Sequence, residues 1–94
     1  FKEAYQALKV LSIVKIDEGD RQNLLGFSAR KLGDLKAART HYEKALEIEP
    51  YHLKALEYQG ELFLRLGDIS QANDNLKKLK AFILLGVKSI LIYN

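Results

Sequence analysis

Ninety-four residues, 48% hydrophobic and 29% charged, suit one globular domain and exclude the disordered and fibrous classes. The net charge of +3 is spread along most of the chain and carries no nucleic-acid signature, so no nucleic-acid partner is expected. With no cysteine there is no disulfide, thiolate nucleophile or cysteine metal site, and the longest apolar run, Ala81 to Leu85, is far too short for a bilayer span.

Opening on Phe1 instead of Met reads as processing or excision, which would take any targeting segment out of view. The first predicted element carries Ala4 and Leu8 at helical spacing and runs toward Ile16. A second helix follows, with Leu24, Leu25, Ala29 and Leu32 at helical spacing, and Gly33 closes it by taking the left-handed backbone conformation. Asp34 then caps a third helix that turns Ala38, Tyr42, Ala45 and Leu46 to one side until Pro50 stops it. "KLGDLKAA" at residues 31–38 returns as "RLGDISQA" at residues 65–72, a step of 34. The same step aligns Ala4, Ala38 and Ala72, sets Gly26 on Gly60 and Lys44 on Lys78, and keeps apolar type at Leu8, Tyr42 and Leu76 and at Leu11, Ala45 and Leu79. A fourth helix therefore ends at Gly67 and a fifth starts at Asp68, where Gln71 completes a capping-box pattern. Small residues at Gly26 with Ala38 and at Gly60 with Ala72 predict two close helix crossings, each overpacked by a larger residue at about 1–3 kcal/mol.

A 34-residue helix–turn–helix period resembles the tetratricopeptide repeat. Its pattern W-x₂-L-G-x₂-Y, A-x₃-F, P is met by Gln22, Leu25, Gly26, Ala29, Ala38, Tyr42 and Pro50. The second copy has Leu56, Gln59, Gly60, Phe63, Ala72 and Leu76, with Leu84 where the proline would fall. The tryptophan is absent from both copies, and Gln22 and Gln59 are polar where the motif is apolar. The resemblance implies an all-α, right-handed α-α superhelix in one domain. Residues 1–18 would be the second helix of a partial repeat, residues 19–52 and 53–86 full repeats, and residues 87–94 a C-terminal cap.

For function the resemblance implies a non-catalytic scaffold that holds a peptide or protein segment in the concave groove lined by the first helix of each repeat. Carried over by position, that groove takes Asp20, Asn23, Phe27, Arg30 and Lys31 from one repeat and Lys54, Glu57, Glu61, Leu64 and Arg65 from the next. Two readings of Phe27 stand: packing against Leu24 or the partial repeat, or an apolar anchor that Arg30, Lys31 and Arg65 flank for an acidic segment. The carboxylate clamp of some family members is not expected, because Asn23, Phe27 and Tyr58 stand where its lysine and asparagines would be.

The ending "FILLGVKSILIYN" breaks the period. Gly86 predicts a turn, with Val87 to Tyr93 folding back as a short helix; the segment is read as a hydrophobic cap, a self-association surface over residues 82–93, or a membrane contact. The stretch "ALEYQGELFLRLGD" is also similar to bacterial repeat proteins that finish with a cysteine-containing loop; with Ile83 and Val87 here, that likeness implies apolar packing in place of a staple. No constellation for catalysis or for a cofactor is seen: His41 and His52 lie eleven residues apart on different elements and read as solvated or capping rather than as joint metal ligands. Glu57 and Glu61 share a helix face, where Lys54 or a basic ligand would relieve their repulsion.

Overall fold

A computed structural model describes residues 1–10 and 17–93, with side chains described for residues 1–6 and 17–88. Five helices follow in order, α1 (Lys2–Val10), α2 (Glu18–Lys31), α3 (Leu35–Ile48), α4 (Leu53–Arg65) and α5 (Ile69–Tyr93), and no strand occurs among the described residues. The readings that rest on the Leu8 side chain, Leu11 and Ile16 lie outside the described residues. α2 packs on α3 and α4 on α5 as two hairpins, with α1 against α2 and α3 against α4.

The two hairpin turns are built from the same bonds. Gly33 and Gly67 sit at φ +87° and +80°, the left-handed region that a Cβ disfavours. In the first turn the Asp34 N–H donates to the Ala29 carbonyl at 2.9 Å and the Gly33 N–H to Arg30 at 3.0 Å; in the second Asp68 donates to Phe63 at 2.8 Å and Gly67 to Leu64 at 3.1 Å. These bonds satisfy carbonyls that a helix end leaves bare. Each aspartate then caps the next helix, accepting from the Ala37 N–H at 3.1 Å or the Gln71 N–H at 3.2 Å. The capping box differs from expectation. Gln71 Nε2 donates to the Asp68 carboxylate at 2.6 Å instead of accepting from the Asp68 N–H, because that N–H is already spent on Phe63.

The core is formed by Leu25, Ala29, Ala38, Tyr42 and Ala45 of the first hairpin with Ala55, Leu56, Leu62 and Phe63 of α4. Tyr42 fits there only because Gly26 faces it: a Cβ at Gly26 would lie 2.6 Å from the ring. The expectation of a second close crossing at Gly60 fails. A Cβ there meets nothing nearer than Asn75 Cβ at 3.9 Å, an ordinary contact. Leu76, the counterpart of Tyr42, is 46% exposed where Tyr42 is 0%, so no ring presses on the second glycine. The buried face of α5 is instead anchored by Asn75, whose amide donates to the Leu56 carbonyl at 3.1 Å and to Gln59 Oε1 at 2.9 Å. That pairing accounts for Gln59 at a position where the repeat pattern is apolar.

Gln22 is explained by a second polar network. Gln22 Nε2 donates to Glu18 Oε1 at 2.9 Å, which turns its carbonyl oxygen toward His41 Nδ1 at 2.8 Å. His41 Nδ1 is then the protonated nitrogen, and Nε2 accepts from the Tyr5 hydroxyl at 2.8 Å. Glu18 also takes a two-pronged bond from Arg21 at 2.8 and 2.9 Å, and together with Gln22 these bonds hold its carboxyl down at about 2. His41 is thus half-buried rather than solvated, and it ties α1 to α2 and α3. His41→Ala strands the Gln22 carbonyl and takes one bond from Tyr5, so a loss of about 1–3 kcal/mol in urea unfolding is expected, with amide exchange accelerated most in α1.

The turn expected at Gly86 is absent: α5 runs unbroken from Ile69 to Tyr93. A glycine inside a helix costs only about 1 kcal/mol relative to alanine, and neighbouring helix formers outweigh it. α5 has 25 residues against 13 in α4, so its distal half outruns its partner. Phe82 stacks on Tyr51 at 5.6 Å and an interplanar angle of 25°. Ile83 and Val87 are 56% and 46% exposed, which overturns the reading that they pack in place of a staple.

Candidate partner-binding surface

α2 and α4 lie side by side and present one strip of aromatic and charged side chains. The Phe27 ring stands 5.1 Å from Tyr58 and 6.1 Å from Phe1, and Tyr58 stands 6.4 Å from the buried Tyr42. Phe27 leans on Phe1, at the start of α1, and its ring stays partly exposed beside Tyr58. Cations lie over these rings, Lys31 and Arg30 at 5.4 and 5.6 Å from the Phe27 centroid and Lys54 and Arg30 at 5.9 Å from Tyr58.

The other candidate residues divide by position. Arg30 is largely buried and pairs with Glu61 at 3.1 Å, and Lys54 reaches Glu57 at 3.8 Å, so the repulsion between the two glutamates is relieved from two sides. Asn23 is buried beneath the strip. Exposed Leu64 faces a groove shared with Glu57, Gly60, Glu61 and Leu76, and exposed Arg65 is the last residue of α4. Tyr58 and Phe1 join the strip without having been singled out by sequence; the signal for Tyr58 is its alignment with Leu24, an apolar position at the 34-residue step.

Burial pushes the Tyr42 phenol up to about 12, against the opposing pull of the Arg30 guanidinium. The Tyr42 hydroxyl and Arg30 Nε are both buried without a hydrogen-bond partner of good geometry.

Asp20 belongs to another cluster, with Glu49 and His52, whose ligand-type atoms lie within 4.8 Å of one another. His52 is the N-cap of α4: its Nδ1 accepts the Ala55 N–H at 3.1 Å, so Nε2 carries the proton and donates to Asp20 Oδ1 at 2.6 Å. Both ring nitrogens are occupied by the fold, and a metal ion at Nε2 would have to displace that proton and the bond to Asp20. Sequence spacing missed this trio because it compares the histidines with each other and not with acids brought in by α2 and the α3–α4 turn.

Helical hairpins joined by a twice-used Gly-Asp turn, with an aromatic strip along their first helices, define a helical repeat protein. Residues 20–52 match the family model of the tetratricopeptide repeat, and the packed helix pairs around them agree with that fold. No curated protein and no solved structure gives a match. The repeat serves in general as a protein–protein interaction scaffold and is generally non-catalytic. Among the described residues no helix is long and apolar enough to cross a membrane.

Proposed function

We propose that the α2–α4 strip binds a polypeptide segment in which an apolar side chain neighbours an acidic one, without chemistry of its own. In this reading residues 19–52 and 53–86 are full repeats that stack as a right-handed superhelix behind a partial repeat over residues 1–18, and the strip is their concave side. One observation carries it: Phe27 and Tyr58 stand 5.1 Å apart with exposed Lys31 and Lys54 over their rings. An apolar residue of the ligand would lie against the two rings. A neighbouring carboxylate would draw on Lys31, which has no acidic partner among the described residues, and on Lys54, whose link to Glu57 is long and solvated. Selection of a random peptide library on the intact chain is expected to enrich sequences with an acid beside an aromatic or aliphatic residue. Their affinity should fall at least about tenfold with Phe27→Ala or Lys31→Glu, a loss near 1.4 kcal/mol. Enriched peptides indifferent to both changes would remove the reading.

A second reading, self-assembly through residues 82–93, is supported by the exposure of Phe82, Ile83, Leu84, Leu85 and Val87 along the free half of α5.

A further inference from the structure

We infer that two copies of this chain pair in parallel through α5, each α5 seated against the other's α4–α5 groove. This rests on the self-assembly reading and names its surface, partner and direction. Along α5, Ile69, Ala72, Leu76, Leu79, Ile83 and Gly86 recur at alternating steps of three and four residues, and the sequence continues the register to Ile90 and Tyr93. That is the 3.5-residue period of a seam between helices, with isoleucine or leucine at one position of each heptad and, at the other, alanine, leucine, glycine and finally tyrosine. Ile69, Leu76 and Ile83 all remain about half exposed.

The internal repeat shows that such a surface takes a helix. Ala38 and Tyr42 of the first hairpin are sealed by α4, with Leu62 in the same cluster. Their counterparts Ala72 and Leu76 line an open groove of about 240 Å³ with Gly60, Leu64 and Leu79. Length then selects the occupant. A helix as short as α4, with 13 residues, would cover half of the seam, whereas a second α5 matches its 25 residues and carries the complementary period. Charge selects the direction. Lys77, Lys78 and Lys88 fall outside the seam, and Lys80 flanks it. A parallel pair keeps the two Lys80 side chains on opposite flanks, while an antiparallel pair centred on the helix brings them together. The two-fold arrangement closes at two copies.

Light scattering on the intact chain, with Leu76→Glu and Ile83→Cys variants, tests this directly. The expected mass is twice the 10.7 kDa of one chain, falling to one chain mass in Leu76→Glu while helical circular dichroism is kept, since that side chain is half exposed. The chain has no native cysteine, so Ile83→Cys should give a single disulfide-linked dimer under mild oxidation. A monomer at every concentration, whether or not it sediments with anionic lipid vesicles, overturns self-assembly itself. A dimer that neither crosslinks at Ile83→Cys nor responds to Leu76→Glu overturns the parallel α5 seam alone.

Discussion

Gly26→Ala is expected to cost about 1–3 kcal/mol, while Gly60→Ala leaves stability unchanged or raises it by up to about 1 kcal/mol. The two glycines align at the 34-residue step and stand on equivalent helices, so propensity alone predicts that both substitutions help. Packing reverses the sign at one of them. A methyl at Gly26 meets the Tyr42 ring at 2.6 Å, and that ring is fully buried, whereas a methyl at Gly60 meets nothing of its own chain nearer than Asn75 Cβ at 3.9 Å. Urea unfolding followed by helical circular dichroism measures both midpoints, with equal m-values if the unfolded state is common to them. Combining Gly26→Ala with Tyr42→Leu should restore much of the loss, because the pair shares one clash and is not additive. Equal effects at the two glycines would mean that the hairpins pack alike.

Tyr42→Ala is expected to cost about 3–5 kcal/mol, the largest effect of any single side chain here, because it empties the place where Ala29, Ala38 and Leu62 meet. A domain of this size has a total stability of the same order, so the variant should be largely unfolded. Tyr42→Phe keeps the ring and discards a buried hydroxyl that lacks a partner, so it should be neutral or stabilising. The pair also separates in alkali. The Tyr42 phenol is raised by burial from 10.0 to about 12, so the stability tied to its neutral form is complete below pH 10 and is lost as the pH rises through about 12. Thermal melts between those values should show the intact chain losing more stability than Tyr42→Phe; parallel losses would mean that the ring is solvated.

Much of the fold was legible because its punctuation is local. Gly33 and Gly67 need the left-handed backbone, and the aspartate after each needs only the next turn of helix to cap, so a three-residue string predicts the turn at both sites. Gly86 is the counter-example: the same residue type inside a run of helix formers tells nothing of whether the chain turns, and α5 passes straight through it. Gly60 misled for a related reason, since a small residue shows that a close approach is allowed, and only Leu76 on the other helix decides whether one occurs.

The placement of candidate side chains was legible where it follows from their own helix and illegible where it depends on a distant one. Phe27, Lys31 and Lys54 lie on the α2–α4 strip, whereas Arg30, over the same rings, is drawn into a pair with Glu61 of α4, and Asn23 is buried. His41 looked solvated because its partner Tyr5 is 36 residues away, on α1. The exposed apolar half of α5 was visible as composition, yet its 3.5-residue period is continuous only once the helix is known to run through Gly86.

Titrating a library-selected peptide into isotope-labelled protein, with backbone amide shifts assigned, probes the binding surface most directly. Shifts should concentrate on α2 and α4 around Phe27, Lys31, Lys54 and Tyr58, with the two Gly-Asp turns unmoved. Shifts confined to α3 or α5, with the α2–α4 strip silent, would contradict a docking surface on the first helices of the hairpins.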